Sequence, residues 1–129
     1  MIYIIDDDES VRLALLLLMR SADFEAEAFA SAEEFLARVK PTHHDCIILD
    51  LRMPGMDGFE LLEKLPSGAR DAPVIIVSAF DNRKSRERAR KLGVKAYFRK
   101  PVDDQALIDA IQWSLEGQQP SRGEDRGQS

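Results

Sequence analysis

Three short apolar runs constrain this chain more than any other feature: Ile2-Tyr3-Ile4-Ile5, Cys46-Ile47-Ile48-Leu49 and Val74-Ile75-Ile76-Val77. Each is too short for a buried helix and rich in β-branched residues, so each reads as a strand covered on both faces, the pattern of a parallel sheet. Polar residues close all three, Asp6, Asp50 and Ser78 respectively. Whatever lies beyond the carboxyl ends of these strands is therefore rich in oxygen.

The segments between them carry helical spacing. Val11, Ala14, Leu15, Leu18 and Met19 follow Asp8 and Ser10, which favour a helix start. Ser31-Ala32-Glu33-Glu34 has the form of a capping box ahead of Phe35, Leu36 and Val39, with the helix ending before Pro41. Phe59, Leu61, Leu62 and Leu65 predict a short helix, and Leu107, Ile108, Ile111 and Leu115 a final one over about 104–116. Phe24 to Phe29 alternates with a period of two, as an edge strand with one wetter face would, and Ala96-Tyr97-Phe98 is a brief fifth strand. Strands alternating with helices along the whole length give five βα units: an α/β fold with a doubly wound parallel sheet.

With 129 residues, one core accounts for the chain. The globular domain is expected over 1–117, and 118–129 as a polar flexible tail or the start of a linker, because no apolar residue occurs from Gly117 onward. The longest apolar run, Leu13 to Met19, is far short of the roughly 20 residues that cross a bilayer. The first residues carry no basic group and run into Asp6-Asp7-Asp8-Glu9, so a cytoplasmic location and no membrane contact are expected. Cys46 is the single cysteine, which excludes an intrachain disulfide; it is expected as a small buried residue. Adjacent His43 and His44 read as loop residues without a role. The formal net charge of −5 is unevenly spread, with 9 of the 18 Lys and Arg in residues 83–100.

In an open parallel sheet, ligands collect outside the carboxyl ends of the strands. Asp6 and Asp7 follow the first strand, Asp50 the third, Ser78 the fourth and Lys100 the fifth. Two carboxylates about 4 Å apart repel by roughly 4 kcal/mol at an effective dielectric near 20, so such a cluster takes up protons, a cation or a lysine. An oxygen-rich site suits Mg²⁺, which is typically held by one or two carboxylates together with a phosphate. Asp50 is then placed as a nucleophile toward phosphorus, with Lys100 and Ser78 able to contact phosphoryl oxygens. Asp8 and Glu9 are better explained as acids at a helix N-terminus.

Ile4-Ile5-Asp6-Asp7, Leu49-Asp50-Leu51-Arg52-Met53-Pro54-Gly55-Met56-Asp57-Gly58, Val77-Ser78-Ala79 and Lys100-Pro101 resemble the receiver domain of two-component response regulators over residues 2 to about 116. The resemblance implies a flavodoxin-like (βα)5 sheet of strand order 2-1-3-4-5. It implies Asp50 as phosphoacceptor, Asp7 and the Arg52 backbone carbonyl as direct Mg²⁺ ligands, and Asp6 acting mainly through water. It further implies Lys100 bridging to the phosphoryl group, Ser78 hydrogen-bonding it, Tyr97 as an aromatic switch, and a cis Lys100-Pro101 bond. Its partners would be a sensor histidine kinase or phosphotransfer protein, and a downstream protein or attached output domain reached through the fourth helix, fifth strand and fifth helix. Such a domain is a switch that assists its own phosphorylation, rather than an enzyme acting on other substrates; phosphorylation-dependent homodimerisation is left open.

The fourth helix departs from that pattern. Arg83, Lys84, Arg86, Arg88, Arg90 and Lys91 leave only Ala89 and Leu92 apolar, so weak amphipathicity and a loose or displaced helix are expected. No aromatic residue interrupts the basic run, which favours a solvated face or a protein contact over nucleic acid. Trp113 is expected half exposed, either packed on the fourth helix or contacting a partner. Three other readings stay open: a constitutive pseudo-receiver, a flavin-binding flavodoxin-like protein, and a haloacid-dehalogenase-like phosphotransferase. The acids after the first strand would repel a flavin phosphate, and the dehalogenase-like arrangement puts its nucleophile after the first strand rather than the third.

Overall fold

The computed structural model describes residues 1–116, without the side chains of Ser67 and Arg70. The expected tail, 118–129, lies outside the described residues. Strands β1 (Ile2–Ile5), β2 (Ala26–Phe29), β3 (Cys46–Leu49), β4 (Val74–Ser78) and β5 (Ala96–Arg99) alternate with helices α1 (Glu9–Ser21), α2 (Ala32–Arg38), α3 (Gly58–Lys64), α4 (Arg83–Lys91) and α5 (Asp104–Glu116). A single turn of 3-10 helix, Ser67–Asp71, precedes β4. All strands pair in parallel in the order β2-β1-β3-β4-β5, the flavodoxin-like order expected.

Alternate strand residues feed opposite faces. Ile2, Ile4, Ile48, Ile75 and Val77 pack against Leu15 and Met19 of α1 and Leu107 and Ile111 of α5. On the other face, Ile5, Ile47 and Leu49 pack with Phe35 of α2 and Leu61 and Leu62 of α3, where the rings of Phe29 and Phe35 meet edge-on at 5.4 Å. Helices on both faces are why the central strands are apolar at nearly every position. Cys46 is fully buried as expected, and burial pushes its thiol up to about 12.

Several local expectations needed correction. β2 begins at Ala26 rather than Phe24, because the Phe24 amide donates to the Met19 carbonyl at 2.9 Å and is spent closing the end of α1. Ser31 caps α2 through the Glu34 amide at 3.1 Å, but the Glu34 carboxylate turns to Arg38 at 3.2 Å, so the reciprocal half of that box is missing. The complete capping box is at α3, where Asp57 and Glu60 exchange two bonds of 2.9 Å.

α4 is more amphipathic than its composition suggests. Ser85 and Ala89, four apart, are its buried residues, and Ala89 reaches a cluster with Leu51, Phe59 and Ile76. The cations lie on the remaining faces, so the helix is seated on the sheet rather than displaced, although by a narrow strip. The buried stripe of α5 is Leu107, Ile111 and Ser114, with Leu115 only half-buried. Trp113 is 61% exposed, beyond the expected half.

Candidate functional site

Strand register assembles the acidic site. Ile5 is paired with Leu49, so the next residues, Asp6 and Asp50, leave the sheet side by side; Ser78 is paired with Arg99, so Lys100 emerges beside Ser78. Backbone bonds extend these pairings by one step, from the Asp50 amide to Ile5 at 3.0 Å and from the Lys100 amide to Ser78 at 3.0 Å. Four sequence-distant residues thereby share one mouth at the carboxyl edge.

Carboxylate oxygens of Asp6, Asp7 and Asp50 lie within 4.8 Å of one another, with Asp6 and Asp50 buried and Asp7 exposed. Lys100 Nζ is 2.9 Å from Asp6 Oδ2 and 3.4 Å from Asp50 Oδ2. Burial raises the Asp6 carboxyl above the ordinary carboxylate range; the Lys100 bond opposes this and the field of Asp50 reinforces it. Burial works against the Lys100 charge, yet the bond to Asp6 and the charge of Asp50 outweigh it, and its ammonium is held above the usual lysine range. One lysine facing three carboxylates leaves a net negative site with oxygen donors only, the chemistry of a hard divalent cation.

The two buried carboxylates are not equivalent. Asp6 Oδ1 accepts from the Asp8 amide at 2.9 Å and Oδ2 from Lys100, so both oxygens are engaged. Asp50 is held only by the longer Lys100 contact on Oδ2, and its Oδ1 accepts no hydrogen bond among the described residues. Gly58 keeps the wall behind Asp50 thin: a Cβ there would lie 2.6 Å from the Asp50 carbonyl oxygen. The Arg52 carbonyl likewise accepts no hydrogen bond from a described residue.

Ser78 and Tyr97 share no hydrogen bond; Phe80 joins them. The fully buried Ser78 Oγ accepts from the Phe80 amide at 3.1 Å, and the Tyr97 hydroxyl donates to the Phe80 carbonyl at 2.5 Å. The Arg52 guanidinium covers the Phe80 ring at 3.8 Å, and that of Arg86 covers Tyr97 at 4.6 Å. Lys84, Arg88 and Lys91 wall a groove of about 720 Å³ that also takes in Arg52, Phe59 and Phe80. The Lys100-Pro101 bond is cis, as expected, and Asp8 caps α1 through the Ser10 amide at 2.9 Å.

Sequence reasoning missed three supporting residues. Phe80 stands one residue past the motif it serves. Arg12 donates to the Asp6 carbonyl at 2.9 Å, and its signal was a cation near a helix N-terminus, where the dipole disfavours it. Glu33 accepts from the Met56 amide at 3.0 Å, a contact across 23 positions with no local signature.

The geometry agrees with the comparisons. The profile of the Response regulator receiver domain family matches residues 2–112. The transcriptional regulatory protein FixJ of Azorhizobium caulinodans is 36% identical over 114 residues, covering 88% of this chain and 54% of that protein. The response regulator protein TodT of Pseudomonas putida is 37% identical, covering 88% and 50%. The chain thus spans about half the length of the curated relatives it matches. Among solved structures, the response regulator StyR is similar with a TM-score of 0.81 and 42% identity, covering 89% of this chain and 58% of that one. A CheY-like receiver domain protein of Methanospirillum hungatei is similar with a TM-score of 0.82 and 28% identity, covering 90% and 93%. No helix among the described residues is long and apolar enough to cross a membrane. With that fold, that acidic mouth and a family match across nearly all of the described residues, the chain belongs to the response regulator receiver domains of two-component systems.

Proposed function

We propose that this domain is a phosphorylation-activated switch that accepts a phosphoryl group on Asp50. The observation that carries the reading is the convergence of Asp6, Asp7 and Asp50 within 4.8 Å, with the Lys100 ammonium against Asp6 and Asp50. Of the two buried carboxylates, only Asp50 has an oxygen with no hydrogen bond from a described residue, which supports it as the nucleophile. The expected donor is a phosphohistidine on a sensor kinase or phosphotransfer protein. An Asp50 oxygen forms the new bond to phosphorus as the phosphorus–nitrogen bond breaks, and the electron pair and a proton go to the departing imidazole.

Asp6, Asp7, Asp50 and the Arg52 carbonyl fit Mg²⁺ by donor chemistry, with Asp6 acting mainly through water. When bound, the ion supplies positive charge to the transferring phosphoryl oxygens. Lys100, its ammonium held above the usual lysine range, contributes a second positive charge, and Ser78 a hydroxyl for a phosphoryl oxygen. Drawing Ser78 to the phosphoryl group withdraws it from the Phe80 amide, loosening the residue whose carbonyl holds the Tyr97 hydroxyl. The added charge of about −1.5 to −2 is then read on the surface of α4, β5 and α5 by a downstream protein or attached output domain in the cytoplasm. FixJ is a transcriptional regulatory protein, which favours an output domain for the whole protein.

The test is intact mass after incubation with a small-molecule phosphodonor, with and without Mg²⁺, beside Asp50→Asn. One labile phosphoryl group, dependent on Mg²⁺ and absent in the variant, is expected. No gain in the folded wild-type protein would overturn the switch and favour a constitutive interaction module.

A further inference from the structure

The loop that carries the Arg52 carbonyl leaves β3 and is anchored at its far end on α3. The Gly58 amide donates to Leu51 at 3.0 Å, and Asp57 caps the helix. Its outermost point, Gly55 and Met56, is held by a different element. Glu33, in the first turn of α2, accepts from the Met56 amide through Oε2 at 3.0 Å. Gly55 is built for this approach: its φ of +75° is one that L side chains rarely adopt, and a Cβ there would lie 2.7 Å from the same Oε2. Glu33 does not cap its own helix, where the Glu34 amide donates to the Ser31 hydroxyl, and it makes no other hydrogen bond or ion pair among the described residues.

We propose that Glu33 is a positioning residue for the phosphorylation site, holding the 52–57 loop so that the Arg52 carbonyl faces the acidic cluster. The inference rests on the reading of Asp50, Asp7 and Arg52 as the Mg²⁺-binding phosphoacceptor centre. Without Glu33, the loop keeps the burial of Met53 and the stacking of Arg52 on Phe80 but loses the hydrogen bond at its outermost turn, and its carbonyls sample orientations that do not face Asp50. A charge-assisted bond to one backbone amide suffices, because the glycine lets the carboxylate sit directly against the turn. α2 carries no residue of the acidic cluster, and beside its apolar packing against α3 this hydrogen bond ties its position to the site geometry.

The test uses wild type, Glu33→Ala and Glu33→Gln. Glu33 is exposed, so neither change removes packing from the core. Two measurements without phosphodonor are made: Mg²⁺ affinity by calorimetry, and hydrogen exchange of the Met56 amide in metal-free protein. Glutamine keeps an oxygen acceptor and loses the charge, which separates positioning from a general electrostatic effect. Expected are Mg²⁺ binding about three- to tenfold weaker in Glu33→Ala, at or below the low edge of the roughly 10–100-fold seen when a partner of a metal ligand is removed. Met56 exchange should be faster in the same variant, with Glu33→Gln close to wild type in both. Gly55→Ala should reproduce the Glu33→Ala behaviour. A wild type that binds Mg²⁺ while Glu33→Ala binds equally well overturns the inference alone. Equal weakening by alanine and glutamine also overturns it, in favour of charge. A wild type with no Mg²⁺ affinity overturns the functional reading and this inference with it.

Discussion

The ammonium of Lys100 lies 2.9 Å from the carboxylate of Asp6, whose side chain is only 4% exposed, and 3.4 Å from Asp50. Metal-free protein therefore depends on this one cation to compensate two buried acids. Lys100→Ala is expected to destabilise metal-free protein by about 2–4 kcal/mol, the cost of leaving buried charge uncompensated, reduced somewhat because Lys100 keeps 22% exposure. Millimolar Mg²⁺ should restore part of that loss. Urea denaturation of both proteins with and without Mg²⁺ checks it, and an unaffected midpoint in metal-free buffer would argue against the compensating role.

Both tyrosines are raised above the ordinary phenol range. For Tyr3 burial acts first and Asp45 and Glu27 add to it; for Tyr97 burial acts first and Asp81 adds, against the nearby Ser85 hydroxyl and the charge of Arg86. The unfolded chain releases these protons at lower pH than the folded one, so stability is lost as pH rises past about 10. Ultraviolet titration should show native tyrosinate appearing later than in urea, and Tyr97→Phe should remove half of the signal. Coincident native and unfolded curves would contradict the assignment.

Ser114 is 2% exposed on the buried stripe of α5, and its hydroxyl has no partner among the described residues. Alanine would remove that unsatisfied group and improve helix propensity, so Ser114→Ala is expected to stabilise the fold by about 1 kcal/mol. A denaturation midpoint that falls instead would mean the hydroxyl is satisfied by water.

α4 is anchored through Ser85 and Ala89, whereas α5 buries Leu107 and Ile111 in the core of the opposite face. Its ion pairs, Arg86 with Asp81 at 2.7 Å and Arg88 with Glu63 at 2.8 Å, have both arginines about half exposed and are worth little each. Amides of α4 should exchange about tenfold or more faster than those of α5 in unphosphorylated protein. Protection equal to that of α5 would overturn this and leave phosphorylation a stiffer helix to move.

The legible part of the site follows from chain direction. Once Ile2–Ile5, Cys46–Leu49 and Val74–Val77 are read as parallel strands, Asp6, Asp50 and Ser78 must emerge at the same edge, and Lys100 joins them after the fifth strand. Capping was harder to read, because Ser31 with Glu34 and Asp57 with Glu60 have the same spacing. Arg38 diverts Glu34, and nothing local distinguishes the two.

Apolar periodicity and strand ends are properties of neighbouring residues, and they were enough to determine the α/β architecture, the order of elements and the residues of the acidic mouth. Tertiary structure alone decided that Phe80 stands between Ser78 and Tyr97, that a basic α4 still finds a buried face, and that Glu33 reaches Met56. Each of these depends on where separate elements come to rest against one another. That placement is set by packing over the whole core, so no window of sequence contains it.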